Sequence, residues 1–104
     1  MHHRLRSFLR AHVDTEITIK RRDYSLTGIV ANISLGGLFV KSKDQLPAKT
    51  GDIYKIKFVL PFSSEDISLS VNGMAVRISP EGVAFRFIET DPKILRVLFD
   101  FIFP

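Results

Sequence analysis

The sequence predicts an all-β fold, a small antiparallel barrel of six strands that is closed by one C-terminal helix. Short stretches of alternating polar and apolar residues recur along most of the chain, and turn-forming residues separate them. Only the tail changes to the spacing of three to four residues that a helix requires. Strands do not alternate with long helices, so a parallel α/β sheet is not expected. Closing the sheet into a barrel removes its exposed edges.

The strands follow one another at short intervals. They are predicted at residues 15–20, 26–33, 38–40, 53–60, 67–71 and 83–88, with turns at 21–25, 34–37, 61–66 and 79–82. The fourth strand alternates most clearly and predicts a buried face made of Tyr54, Ile56, Phe58 and Leu60. The pair Asn72-Gly73 is either a hairpin turn or a bulge in one long strand that continues to Ile78. The pair Gly36-Gly37 indicates a tight turn or bulge with positive φ.

The tail predicts a helix over residues 91–103. Asp91 is a favourable N-cap, and Pro92 suits the first helical position. The apolar residues that follow form one stripe, made of Ile94, Leu95, Leu98, Phe99 and Ile102. We expect the first four of these to pack on the barrel.

Composition bounds the class of protein. A chain of 104 residues with 45% hydrophobic residues suits a single globular domain, and nine Phe with no Trp predict a core rich in aromatic rings. The absence of cysteine excludes disulfides, thiolate zinc sites and a cysteine nucleophile, and it fits the cytoplasm, where we expect the protein to act. No apolar stretch is long enough to span a membrane or to serve as a secretory signal.

We expect neither an enzyme nor a metal site. All three histidines lie in the first 12 residues, beside arginines, and no Gly-x-Ser-x-Gly or His-Glu-x-x-His pattern occurs. The acidic pair Glu65-Asp66 falls in a polar turn, where solvation is the ordinary state. No residues form a recognisable catalytic set.

The first candidate binding motif is a pair of arginines near the N-terminus. Arg6 and Arg10 are four residues apart, so they share a side in a helical turn and in an extended arm. Arg4 lies nearby, and residues 1–12 contain no acid, although the formal net charge of the whole chain is only +4. One guanidinium group can donate two parallel hydrogen bonds, either to phosphate oxygens or to O6 and N7 of guanine. The alternative is a solvated basic tail.

The second candidate motif follows the second strand. Asn32 and Ser34 are two residues apart and therefore point to one face, where the Asn amide can accept a hydrogen bond from a guanine. Gly37 lets the backbone approach a planar ring, because it has no Cβ. The alternative is a turn in which these side chains satisfy their own backbone.

Together the two motifs resemble the PilZ domain family, in which Arg-x-x-x-Arg is followed by Asp/Asn-x-Ser-x-x-Gly. The runs at 34–40, 73–77 and 82–87 also resemble family strands, so the resemblance spans nearly the whole chain. It implies a six-stranded, Greek-key-like antiparallel barrel with a C-terminal helix, and a receptor for the bacterial second messenger cyclic di-GMP. The chain would divide into a basic N-terminal arm, residues 1–12, and a barrel with its helix, residues 13–104.

The resemblance also assigns roles. Arg6 and Arg10 would grip phosphate and guanine edges, Asn32 and Ser34 would hold a guanine, and Gly37 would give clearance. Arg4, which lies just outside the first motif, could add a phosphate contact. In the family, a basic residue just before the first motif tends to accompany two stacked ligand molecules. Here that residue is Leu5, which favours a single bound molecule. Cyclic di-GMP is a ligand, and no cofactor is expected.

The expected mechanism is an order–disorder switch of the arm. Cyclic di-GMP would tie the arm to the barrel, and the new surface would signal to a partner protein or to a second copy of the chain. A first alternative is a PilZ-like domain that binds protein with weak or no nucleotide binding, through the apolar C-terminal residues. A second is a nucleic-acid-binding barrel that uses the arm and its exposed lysines, Lys41, Lys43, Lys55 and Lys57.

Overall fold

The computed structural model describes residues 11–22, 24–41 and 47–104, with the backbone alone for residues 11–14 and Tyr24. The elements are β1 (Ala11–Arg21), β2 (Tyr24–Ile33), β3 (Gly37–Lys41), β4 (Ile53–Pro61), β5 (Asp66–Ser79), β6 (Gly82–Ile88) and α1 (Pro92–Ile102). Within those ranges, no helix is both long and apolar enough to cross a bilayer.

The six strands form a closed antiparallel barrel in the order β1-β2-β3-β6-β5-β4, as predicted. β1 pairs with β2 on one side and with β4 on the other, which closes the ring. The order β4-β1-β2-β3 is a Greek key, because the fourth strand returns to lie beside the first. Since β3 and β4 are separated by two strands in either direction around the ring, they lie on opposite sides of the barrel.

Alternation places the core inside the barrel. β4 is the clearest case, since Tyr54, Ile56, Phe58 and Leu60 are all at most 3% exposed and the residues between them are exposed. This confirms the predicted buried face. The core is mainly aliphatic, however: of the nine Phe, the buried ones in the described part are Phe58, Phe85 and Phe87. With Tyr54 they make four aromatic rings among the seventeen buried hydrophobic residues of the described part, and Phe62 and Phe101 pack against this core. Aromatic rings therefore form a substantial part of the core beside the aliphatic side chains.

The first hairpin is tighter than predicted. β1 continues through Arg21, which pairs with Tyr24, so both strands extend into the predicted turn at 21–25. Arg22 has φ of 56°, the left-handed conformation that a two-residue hairpin turn requires. Arg21, which indicated a longer turn, is half-buried and lies over the ring of Tyr54, with its Nη2 3.4 Å from Asp52 Oδ1.

β5 is one continuous strand of 14 residues, so Asn72-Gly73 is not a turn. Gly73 is buried, and a Cβ there would lie 2.6 Å from Cδ1 of Ile56 and 3.3 Å from Cβ of Phe85. The glycine therefore lets the strand pass close over the core. The register shift of this strand comes later, between Ala75 and Arg77.

The helix caps one end of the barrel. As predicted, Asp91 is the N-cap, and its side chain accepts a hydrogen bond from Lys93 N–H at 2.8 Å. Leu98 is fully buried. The other residues that pack on the core are Ile94, Val97 and Phe101, and Phe101 meets the ring of Phe62 edge to face at 5.5 Å.

Two helix residues depart from the predicted packing. Leu95 and Phe99 are 38% and 47% exposed, so their predicted packing on the barrel was wrong. The barrel contacts the helix at positions 94, 97, 98 and 101, and each of the two residues lies about 100° around the helix from a neighbour on that line.

Candidate ligand-binding site

The residues of the second motif come together on the outer face of the barrel. Asn32 lies near the end of β2, Ser34 in the turn that follows, and Gly37 at the start of β3. They border a cavity of about 450 Å³. It is lined by Asn32, Ser34, Gly36, Gly37, Leu38, Phe39, Val76, Arg77, Ala84, Phe85 and Arg86. Its size falls in the usual range of small-molecule sites, about 300–1,000 Å³.

A β-bulge turns Asn32 outward. Val30 pairs with Val40 and Asn32 with Phe39, so β2 has one extra residue, Ala31, opposite β3. Val30 is fully buried, and strict alternation would bury Asn32 as well. The extra residue shifts the phase by one, so Ile33 enters the core instead and Asn32 lies half-buried at the cavity.

Ser34 builds the turn that carries the motif. Its backbone N–H donates to Gly37 O at 2.8 Å. Its hydroxyl donates to the same oxygen and accepts from Gly36 N–H, both at 3.3 Å. The self-satisfied serine turn of the alternative interpretation is therefore present. A hydroxyl oxygen has two lone pairs, so Ser34 retains the capacity to accept one further hydrogen bond.

Gly37 has a structural role that differs from the predicted one. The described glycines with positive φ are Gly51 and Gly82, so the prediction of positive φ at Gly36-Gly37 was wrong. A Cβ on Gly37 would instead overlap the carbonyl oxygen of Phe85 and lie 3.2 Å from Cα of Arg86. The absence of a side chain thus allows β3 to pair closely with β6 at the floor of the cavity.

Three further residues complete the cavity, and the motif-based analysis did not select them. Phe39, Arg77 and Arg86 lie on the outer faces of β3, β5 and β6. A second bulge turns Arg77 outward, because Ala75 and Arg77 pair with the consecutive residues Phe85 and Ala84. The alternation of β3 and β6 was the signal that could have revealed Phe39 and Arg86.

Two arginines at the cavity, Arg77 and Arg86, give it positive charge. Two arginines elsewhere have acidic partners: Arg21 Nη2 lies 3.4 Å from Asp52 Oδ1, and Arg96 Nε lies 3.3 Å from Asp100 Oδ1. Within the described ranges, Arg77 and Arg86 have no such partner. A shallow groove next to the cavity shares Arg77 and adds Lys41 and one acid, Glu81. An anion is therefore the ligand class that this face favours.

The first motif lies outside the described residues, and so do Arg4, Arg6 and Arg10. The point where that segment joins the barrel is nevertheless described. Ala11 pairs with Ile33 and His12 with Asn32, so β1 begins beside the second motif. Ser34 immediately follows the residue that pairs with Ala11. The pairing of β1 with β2 thus joins the segment that carries the first motif next to the second motif.

The exposed lysines do not share one face. Lys41 lies on β3, whereas Lys55 and Lys57 lie on β4, the strand on the opposite side of the barrel. Lys43 is outside the described residues. In the part of the chain that the structure covers, no three His, Cys, Asp or Glu side chains are grouped so that they could hold a metal.

Solved structures share this architecture. The inhibitor of motility MotI/DgrA from Bacillus subtilis is 18% identical, with a TM-score of 0.81 over 91% of this chain and 48% of that one. This chain thus spans about half of the MotI/DgrA chain. The PilZ domain of Escherichia coli YcgR, solved with c-di-GMP, is 20% identical, with a TM-score of 0.74 over 90% of this chain and 86% of that one.

A third similar structure is the PlzA protein of Borreliella burgdorferi in complex with c-di-GMP, which is 16% identical with a TM-score of 0.61. It covers 89% of this chain and 39% of that one. At these identities the likeness shows a common fold. No curated protein matches the sequence significantly. The family model of the PilZ domain, however, matches residues 4–103, and the chain therefore belongs to the PilZ domain family.

Proposed function

We propose that this chain is a receptor for cyclic di-GMP and that the cavity beside Asn32, Ser34 and Gly37 is its binding site. One observation carries the proposal. The second motif borders a basic cavity at the place where the segment with Arg6 and Arg10 joins the barrel. Two structurally similar domains, those of YcgR and PlzA, were solved with c-di-GMP, which agrees with this assignment.

The cavity offers distinct groups to a guanine base. The Asn32 amide provides both donors and an acceptor, which suit the donors and acceptors on the edge of a guanine. A planar base can come close to the backbone at the bottom of the cavity, because the side chains there are small or absent at Gly36, Gly37 and Ala84. The ring of Phe39 borders the same space and can stack on a base.

The arginines suit the two phosphates. Arg77 and Arg86 lie on neighbouring strands at the cavity, and Arg6 and Arg10, with Arg4, precede β1. Guanidinium–phosphate contacts are charge-assisted and contribute on the order of 1.5–3 kcal/mol each. Ala11 and His12 already pair with β2 as the start of β1, so ligand binding would draw the rest of the N-terminal arm, residues 1–10, onto the barrel. The ordered arm then presents a new surface to a downstream protein partner, which is the output of the receptor.

A nucleic-acid ligand fits this surface less well. A single strand needs a continuous basic groove with stacking residues along it. Here the lysines divide between β3 and β4, on opposite sides of the barrel. Two aromatic residues line the cavity, and of these Phe85 is buried in the core, so Phe39 is the one that can stack on a base. A compact dinucleotide matches one cavity with one aromatic neighbour.

Removal of one arm arginine tests the proposal. We expect Arg10→Ala to weaken binding of cyclic di-GMP at least about tenfold, because one charge-assisted contact exceeds about 1.4 kcal/mol. Isothermal titration calorimetry measures the affinity, with GTP and cyclic AMP as ligand controls. Arg22→Ala is the matched variant, since Arg22 lies in the hairpin at the other end of β1. Unchanged affinity of Arg10→Ala would refute the role of the first motif.

A carboxylate introduced into the cavity tests its location. Val76 lines the cavity and is 43% exposed, so Val76→Glu should fold normally and repel the phosphates. Val59, on β4, is 36% exposed, and Val59→Glu adds the same charge on the far side. We expect calorimetry to show loss of binding for the first variant and wild-type affinity for the second. Equal affinities would place the site elsewhere on the barrel.

A further inference from the structure

The C-terminal helix has a second apolar face that no described part of the barrel covers. It consists of Leu95, Phe99, Ile102 and Phe103, which we call the outer stripe. These positions follow the spacing of one helical face, and Leu95, Phe99 and Phe103 are 38%, 47% and 39% exposed. The rings of Phe99 and Phe103 lie next to each other with centroids 4.8 Å apart and planes inclined by 39°. Exposed apolar side chains grouped on one helix face are a feature of interaction surfaces.

The charged side chains beside the outer stripe change sign along the helix, from positive near its start to negative near its end. Lys93 and Arg96 lie in the first half of the helix, and Asp100 lies in the second half. Arg96 and Asp100 are 78% and 49% exposed and form an ion pair one turn apart on the same side, with Arg96 Nε 3.3 Å from Asp100 Oδ1. At that exposure each group can also contact an opposite charge on a second copy. The helix dipole adds positive partial charge at the N-terminal end and negative partial charge at the C-terminal end. The face is therefore complementary to itself when its direction is reversed.

We propose that a second copy of this chain covers the outer stripe, with the two α1 helices antiparallel about a two-fold axis near Phe99. This symmetry places Phe99 against Phe99 of the second copy and Leu95 against Phe103 of the second copy. The same flank of each helix meets across the axis, so Arg96 faces Asp100 of the second copy, twice in the dimer. Such an isologous contact closes at two chains.

The dimer leaves the candidate ligand site open. The cavity is lined by residues of β2, β3, β5, β6 and the turn at 34–36, and by none from α1. The interface is thus a property of the chain that does not depend on the proposed ligand, and it can be tested in the absence of any nucleotide.

Exchange of charge between two variants tests the pairing. The full chain is studied by sedimentation velocity over a range of concentrations, where we expect a dimer. Arg96→Asp and Asp100→Arg should each raise the dissociation constant at least tenfold, because like charges then face each other twice. An equimolar mixture of the two should form a heterodimer, since each acidic flank meets a basic one. A mixture that remains monomeric overturns the antiparallel arrangement.

The apolar contact is tested separately. Phe99→Glu should yield a monomer with an unchanged circular dichroism spectrum, because the side chain is already half exposed. Ile53→Glu is the control, since Ile53 is 50% exposed on β4 and should leave the dimer intact. A wild-type chain that stays monomeric up to millimolar concentration, or a Phe99→Glu chain that still dimerises, overturns the proposal.

Discussion

Gly37 serves the barrel and the candidate site at once. It lies where β3 pairs with Phe85 and Arg86 of β6, and a Cβ there would overlap the carbonyl oxygen of Phe85. Its own carbonyl oxygen accepts both hydrogen bonds from Ser34. The missing side chain is therefore required first for β3 to pair with β6. The same absence leaves room for a ligand at the cavity.

A pair of glycine variants measures this constraint. We expect Gly37→Ala to destabilise the domain by about 1–3 kcal/mol, because the obstructing atom is backbone and cannot rotate away. Gly36→Ala is the matched control, since a Cβ on Gly36 meets nothing within 4 Å and its φ is not positive. Urea denaturation of the two variants and the wild type measures the difference. Equal stability of Gly37→Ala and Gly36→Ala would contradict the close approach.

Single inserted residues decide which side chains reach the site. Ala31 in β2 and Val76 in β5 each oppose no residue of their own in the neighbouring strand, and each shifts the alternation by one. Without those shifts, Asn32 and Arg77 would point into the core. Asn32 was predicted at the candidate site because it lies two residues before Ser34, whereas alternation counted from Val30 would have placed it in the core. Alternation gave no signal that Arg77 points outward. Bulges depend on strand partners, which a single sequence does not display.

The strands and the helix were predictable because their patterns are local. β4 shows the period of two without interruption, and the Asp91-Pro92 start of the helix is a strong local signal. The ends of β1 were missed, and the continuity of β5 was one of two alternatives that the sequence left open, because pairing with neighbours overrides turn-forming residues such as Asn72 and Gly73. The helix had two apolar stripes, and the sequence alone could not show which of them faces the barrel.

The N-cap of the helix provides a test at the scale of one element. Asp91 accepts a hydrogen bond from Lys93 N–H at 2.8 Å, so Asp91→Ala should cost about 1 kcal/mol of unfolding free energy. Asp91→Asn is the control, because asparagine caps helices about as well as aspartate. Thermal denaturation followed by circular dichroism compares the variants. If Asp91→Asn falls as far as Asp91→Ala, charge rather than the cap hydrogen bond stabilises this end.

Over the whole molecule, the order of the strands in the barrel determines where the basic residues lie, and this affects ligand binding more than the net charge does. The formal charge of +4 is modest, yet closing the ring separates two basic regions. One contains Arg77, Arg86 and Lys41 around the cavity, and the other contains Lys55 and Lys57 on β4. The field at the cavity is set by the first group, since the second lies across the barrel from it. Because the two groups are separated, removing charge from one or from the other tests which of them attracts the ligand.

The salt dependence of ligand binding tests that field. The Debye length falls from about 30 Å at 0.01 M salt to about 3 Å at 1 M, so exposed guanidinium groups lose their attraction for phosphates as NaCl is added. We expect the affinity of the wild type for cyclic di-GMP to fall steadily in calorimetric titrations at increasing NaCl. The double variant Arg77→Ala/Arg86→Ala should bind more weakly and show a flatter dependence, because two of the screened contacts are gone. The variant Lys55→Ala/Lys57→Ala removes the same charge from β4 and should keep the wild-type slope. Equal slopes for the two double variants would show that net charge, and not the position of the arginines, governs the attraction.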